Sequence, residues 1–359
     1  MKKIWRRAAA TLCALQWLAP AQGAPLDAFL SARQDNRPWH GHLEAGYDLS
    51  NRGMDVFHLR GADVADNSTL GNYHGAHLGG GVALTPRLWM DGMLWQRTID
   101  THAAAVKIDT WRLAGQYLLF EAAGYRPALA LRAGAWGDST GEIVRASAFA
   151  IGGVQLASAR LSDVKDRQYQ LDAIATWQVA AQTELNVFAG AGASRVSVGA
   201  AGATTQVGGC LYQLSFGPDN VVGSCDSAAM SVRFTTPNSV FGLDFNKEFA
   251  YTARHFQGGF SLAWHDQHWR LRGGYQTLAL KRDGVDDSIV GRGGVAYRHN
   301  HILVGEVRRT LGAATSLFLR GQYMSNQFTG ELPMAYNSLT ANSFRQRYGI
   351  LSAGLIFSF

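Results

Sequence analysis

The 359-residue chain has only three cysteines and eight prolines, and charged side chains make up just 17% of it. Three cysteines, with no CxxC or Cys/His spacing, exclude a disulfide-dense scaffold and a zinc-cluster domain. A hydrophobic content of 47%, beside so little charge, excludes a disordered chain, and 41 glycines without a repeat exclude a collagen-like one. Beyond the N-terminus no run of about 18 apolar residues occurs, so no helix of this chain is expected to span a bilayer. The formal charge of +6 includes Lys2, Lys3, Arg6 and Arg7. Without them the chain is nearly balanced, which leaves no basis for a nucleic-acid partner.

What is present begins with those four basic residues, followed by the apolar stretch Ala8 to Ala19 and the small-residue site Ala21-Gln22-Gly23. That order predicts a secretory signal over 1–23. Cys13 lies inside it without the small neighbours of a lipidated cysteine, so no lipid anchor is expected. Cys210 and Cys225 then remain in an exported chain, and a disulfide is the default expectation.

Segment after segment alternates apolar residues with polar or tiny ones, bounded by turn signals. Ala76, Leu78, Gly80, Val82 and Leu84 oppose Tyr73, Gly75, His77, Gly79 and Gly81 before Thr85-Pro86-Arg87 breaks the strand. The same rhythm recurs from Trp111 to Leu119, Leu129 to Trp136, Tyr169 to Val179, Leu185 to Ala191, Phe256 to Trp264, Trp269 to Tyr275 and Leu317 to Tyr323. In a soluble exported sandwich, the other all-β reading, Lys, Glu and Thr would cover the second face. Here that face carries Gly, Ala, Ser, Gln and Arg, and aromatics gather at strand ends. A membrane barrel with a lipid-facing apolar surface and a polar interior accounts for both features.

The chain ends Ser352-Ala353-Gly354-Leu355-Ile356-Phe357-Ser358-Phe359. Ser352, Gly354, Phe357 and the terminal Phe359 resemble the assembly signal of Gram-negative outer-membrane β-barrels. The resemblance implies placement in that outer membrane by the barrel assembly machinery, with outer-membrane lipid and lipopolysaccharide as surroundings. Leu351, Ala353, Leu355, Phe357 and Phe359 then face lipid, and the last strand pairs with the first to remove the sheet edge.

The expected fold is all-β: a transmembrane antiparallel up-and-down barrel over 39–359, preceded by a short periplasmic segment, 24–38. Twelve strands are read near 39–61, 72–84, 88–99, 106–119, 127–137, 168–179, 184–197, 251–264, 269–281, 288–310, 315–325 and 346–359. Short inner turns and long outer loops then alternate. Met230 to Thr235 and Val240 to Asn246 offer a further hairpin, so fourteen strands is the alternative. Leu26, Phe29 and Leu30 form either one turn plugging the lumen or part of an untethered tail. So short a segment leaves no passenger of the autotransporter kind.

On this register Arg97, Arg112, Arg132, Arg270, Arg272 and Arg320 face Asp91, Asp172 and Glu306 across the interior. Either they line a narrow passive channel for small polar or anionic solutes, or they fill the barrel as ion pairs. Loop 138–167, with the apolar run Ala148 to Val154, folds inward as a constriction or stands over the rim. Cys210 and Cys225 staple the longest outer loop, where a surface-interaction function would reside. His40, His42 and Glu44 share a strand face, but same-face neighbours about 7 Å apart suit a metal poorly, and no metal or cofactor is assigned. His265, Asp266 and His268 read as turn residues. No nucleophile elbow occurs, and Asp286-Asp287 near His299 and His301 is the one omptin-like hint of a hydrolase; no catalytic residue is assigned.

Overall fold

The computed structural model describes residues 27–34, 37–50, 72–100, 105–145, 148–151, 153–226, 231–242, 244, 248–326, 332–337, 341–345 and 347–359. The expected signal segment, 1–23, lies outside them. The strands are β1 (Gly41–Ser50), β2 (Asn72–Ala83), β3 (Leu88–Asp100), β4 (Ala105–Phe120), β5 (Ala128–Arg145), β6 (Phe149–Ile151), β7 (Val154–Leu156), β8 (Ser158–Ala180) and β9 (Thr183–Ser197). They continue with β10 (Ala200–Val207), β11 (Cys210–Phe216), β12 (Asn220–Asp226), β13 (Ser231–Pro237), β14 (Thr252–His265), β15 (Trp269–Arg282), β16 (His299–Thr310), β17 (Thr315–Met324) and β18 (Tyr348–Ser358).

Twelve of these close an antiparallel barrel in the order β1, β2, β3, β4, β5, β8, β9, β14 to β18, and back to β1. Closure is made by β1 on β18, with Leu43 opposite Phe357 and Leu49 opposite Leu351, and by mutual backbone bonds between Gly41 and Phe359. Every strand shows two faces. On β18, Leu351, Leu355, Phe357 and Phe359 are exposed while Ser352 and Ile356 are buried; on β8, Tyr169 and Leu171 are exposed while Gln170 and Asp172 are buried. Over the membrane-crossing band the outward side chains are therefore mostly apolar and the inward ones mostly polar, the reverse of a water-soluble domain, and the outer surface is the lipid-facing one. Gly354 faces inward, where a Cβ would lie 2.1 Å from the Ala45 carbonyl oxygen, so packing alone demands glycine there.

Several boundaries differ from expectation. The strand read over 39–61 is seen as Gly41–Ser50, and 51–71 lies outside the described residues. The strand read from 288 begins only at His299, because Val285–Gly291 forms a helix, α1. Gly284, at φ 82°, starts it, Asp286 and Asp287 suit its first turn, and Val285 and Ile289, four apart, are both buried. Residues 138–167 are mostly strand: β5 and β8 run on beyond the membrane as a paired wing tipped by the β6–β7 hairpin. Ala148, Ala150, Gly153 and Gln155 are exposed there and Val154 packs on the apolar cluster, so the described part of the run stands over the rim.

The largest departure is 198–250. Strands β10 to β13 pair outward from the outer half of β8 and add four strands to the sheet without entering the barrel circumference. Residues 238–241 form a short 3-10 turn where the second strand of the alternative hairpin is expected to begin, and 243 and 245–247 lie outside the described residues. The fourteen-strand alternative fails because β13 and its neighbours stay outside the closed ring of twelve. Cys210 and Cys225 are disulfide-bonded across this sheet, with Cα atoms 6.2 Å apart.

Candidate functional site

The lumen is stoppered at its periplasmic end by the chain's own N-terminal segment. Asp27–Phe29 form a 3-10 turn inside the barrel, and Ala28, Leu30, Ser31 and Ala32 are all buried. Leu30 and Ala32 pack with Leu118, Ala130, Ile174 and Phe188, a small apolar layer at the inner end of the wall. The segment's backbone is bonded as well: the Ala32 N–H donates to Thr176 Oγ1 at 2.8 Å and Gln116 Nε2 donates to the Ser31 carbonyl at 2.9 Å. Thr176 Oγ1 in turn donates to Asn186 Oδ1 at 2.7 Å. Arg33 reaches Glu184 at 3.3 Å and Gln178 beside it. Gly274 admits the segment, since a Cβ there would sit 2.8 Å from the Ala28 carbonyl oxygen. Of the two expectations for this segment, plugging turn or untethered tail, Phe29 and Leu30 follow the first; Leu26 lies outside the described residues.

Above the plug lies a belt of charge. Arg132 grips Asp91 through two bonds of 2.5 and 2.7 Å, with Arg112 at 3.8 Å. Arg272 and Arg320 share Glu306, at 2.6 and 2.8 Å, and Arg320 also reaches Glu44 at 3.1 Å. His77 bridges Glu44 and Asp48, at 3.2 and 3.1 Å. Paired and hydrogen-bonded in this way, buried charges avoid the several kcal/mol that an isolated one costs. A cavity of about 210 Å³ remains among Phe29, His42, Glu44, Trp89, Asp91, Trp95 and the guanidinium groups of Arg112, Arg132, Arg272 and Arg320.

The outer mouth is closed by residues 332–337 and 341–345. Leu332, Met334, Tyr336 and Phe344 are buried against the inward ends of the strands, including Ile108, Val164, Leu278, Ile302 and Tyr348. The Met334 N–H donates to Asp166 at 3.2 Å, Tyr251 Oη donates to the carbonyls of Pro333 and Tyr336 at 2.7 Å, and Arg282 lies 3.5 Å over the Tyr336 ring. Burial raises the Tyr251 and Tyr336 phenols above their ordinary range, which keeps both neutral; Tyr251 donates to those two carbonyls, while Tyr336 Oη accepts the Tyr297 N–H at 2.8 Å.

Of the residues singled out in the sequence, Asp91, Arg112, Arg132, Arg272 and Arg320 line the cavity, and Glu306 ties the last two together. Arg97 is spent elsewhere, on Asp138 at 2.5 Å and on Thr110. Asp172 accepts from Gln170 and Gln257, in a polar layer apart from the cavity, and Arg270 is likewise not on the cavity wall. Sequence reasoning missed Trp89 and Trp95, and named Phe29 only as a residue of the plugging turn. In β3 both faces mix apolar and polar types, so alternation alone did not tell inward Trp95 from outward Leu94.

The remaining candidates separate in space. His42 stacks on Trp89, and Glu44 is held by His77 and Arg320. Asp286 is bound by Arg282 and Arg298, while His301 faces outward, stacked on Tyr275. The omptin-like pairing of acid and histidine is therefore not formed. Asp266 accepts the N–H groups of His268 and Trp269, as a turn residue does.

No protein-family model matches the chain, and no curated protein does. Among solved structures it is similar in layout to the translocator domain of the autotransporter NalP from Neisseria meningitidis, at 12% identity and a TM-score of 0.44, covering 100% of this chain and 95% of that one. It is also similar to the NanC porin, at 8% identity and 0.40, covering 89% of this chain and 100% of that one. A third is LpxR from Salmonella typhimurium, at 10% identity and 0.42, with 88% and 100% covered.

Proposed function

We propose that this outer-membrane barrel is a narrow gated channel for small polar or anionic solutes, at rest in the closed state described above. The observation that carries the reading is the cavity of about 210 Å³, walled by four arginines and two carboxylates, which lies between the plug and the outer segment of the same chain. Four guanidinium groups on one cavity attract an anionic solute, while Asp91 and Glu44 hold those groups in place and oppose them with negative charge. Conduction requires withdrawal of the plug and displacement of the outer segment.

The test is single-channel recording of the mature chain in a planar bilayer, beside a variant lacking 27–34 in which 332–337 is replaced by a Gly-Ser linker. The intact chain is expected to open rarely and the double variant to give steady ohmic steps. In the double-variant background, Arg112→Ala with Arg132→Ala is expected to shift the reversal potential toward lower anion preference. A double variant that folds and stays silent overturns the channel reading. The stapled outer sheet β10 to β13 favours a second reading, a surface-interaction barrel, and silence of the double variant would support it.

A further inference from the structure

Above the lipid-facing band on one side of the barrel, five basic side chains point outward from four consecutive strands: Lys165 and Arg167 on β8, Arg195 on β9, Arg254 on β14 and Lys281 on β15. All five are exposed. Two direct cross-strand pairs set like charge against like charge, Arg167 opposite Arg195 and Arg254 opposite Lys281. Such pairs destabilise a sheet unless something answers the charge. Among the described residues no acidic side chain makes an ion pair with any of the five. Asp163 and Asp283 lie farther out, and Asp283 accepts from Thr252 at 2.9 Å.

The height of the patch names what it meets. Each of the five stands roughly eleven to fifteen residues from its periplasmic turn, and about 9–11 residues of tilted strand cross the hydrocarbon. The outward positions just below are apolar: Tyr169 and Leu171 on β8, Ala191 and Ala193 on β9, Phe256 on β14. The register sets Ala193 between Tyr169 and Arg254, and Ala191 between Leu171 and Phe256. Small side chains on β9, flanked by large ones on both neighbours, form a shallow apolar groove that runs down from the charge. The patch therefore faces the headgroup layer of the outer leaflet, and the groove faces its acyl chains.

We infer that this face binds a phosphorylated outer-leaflet lipid, the phosphates held by Arg167, Arg195, Arg254 and Lys281 and one acyl chain laid along Ala191 and Ala193. Arginine pairs bind phosphate oxygens through two parallel hydrogen bonds, and a dianionic headgroup neutralises the like-charge pairs that the fold leaves facing each other. The site is separate from the lumen and stands whether or not the barrel conducts.

The test incubates the refolded mature chain in detergent with lipid A carrying two phosphates, or with the same lipid dephosphorylated, and reads retention by native mass spectrometry. Retention of the phosphorylated lipid is expected to exceed that of the other by about tenfold or more. Arg167→Glu with Arg254→Glu should abolish the difference, whereas Arg167→Lys with Arg254→Lys should keep most of it. Equal retention of the two lipids by the unmutated chain overturns the inference without reliance on any variant. So does undiminished retention by a charge-reversed barrel that still shows heat-modifiable migration. Displacement by inorganic phosphate at concentrations comparable to the lipid would reassign the patch to free anions and overturn the lipid assignment.

Discussion

The guanidinium of Arg272 lies 4.3 Å over the ring of Phe29 while its Nε and Nη2 hold Glu306 at 3.0 and 2.6 Å. One side chain thus joins the N-terminal plug to the ion network of the barrel wall, and the plug's stability is tied to the charge arrangement around the cavity.

Loss of that contact is expected to loosen the plug. A cation–π contact contributes about 0.5–2 kcal/mol, so Phe29→Ala should raise the population of the withdrawn plug roughly two- to thirtyfold. With Ala32→Cys as reporter, buried in the plug, the rate of labelling by a membrane-impermeant maleimide should rise by that factor. An unchanged rate would mean that Phe29 does not anchor the segment.

Glu306 is the shared acid of Arg272 and Arg320. Glu306→Gln leaves the half-buried Arg272 without its carboxylate and Arg320 with Glu44 alone, and is expected to destabilise the barrel by about 3 kcal/mol. The midpoint of urea unfolding in lipid vesicles measures it, and a loss below about 1 kcal/mol would show that the arginines find other partners.

The outward face has its own signature. Leu319 is 49% exposed on β17, a few residues above the inner turn. Leu319→Arg should cost about 2–4 kcal/mol in a bilayer, falling off in substitutions nearer the strand ends. A neutral result would place Leu319 away from lipid.

The disulfide constrains only the outer sheet. Cys210→Ser with Cys225→Ser releases a loop of sequence separation 15, worth about 3 kcal/mol in the chain-entropy account. Limited proteolysis should then cut within β10 to β13, while heat-modifiable migration of the barrel is unchanged. Loss of the barrel itself would show that the sheet supports the wall.

Asp266 is held below the ordinary carboxylate range by the backbone N–H groups of Trp269 and His268, which donate to it at 2.6 and 2.7 Å. A depressed folded value means that the turn's stabilisation is complete above the unfolded aspartate's range near 4 and is lost as pH falls through the folded value. Amide exchange at His268 and Trp269, corrected for intrinsic rates, should be slow at pH 5 and faster in Asp266→Ala. Equal protection in the variant would remove the carboxylate from the turn.

The alternation of β4, β8, β14 and β17 was legible in the sequence because a strand turns each successive side chain to the opposite face, a local property that any register preserves. The closing strand was legible too, since Leu351, Leu355, Phe357 and Phe359 share one parity. Tertiary structure alone decided the rest. Glu44 and Arg320 are 276 residues apart and meet only because β1 closes on β18 beside β17. The plug is a single turn, too short to show a helical period, and it is held by groups on β4, β8 and β15 that no local pattern groups together. The outer wing and the stapled sheet read as loops because they stand above the bilayer: one face buries small and apolar side chains such as Leu161, Ala203, Leu214 and Val221 and the other meets water, so no lipid-facing band marks them. Local backbone geometry makes the strands, and barrel closure determines which of their polar residues meet.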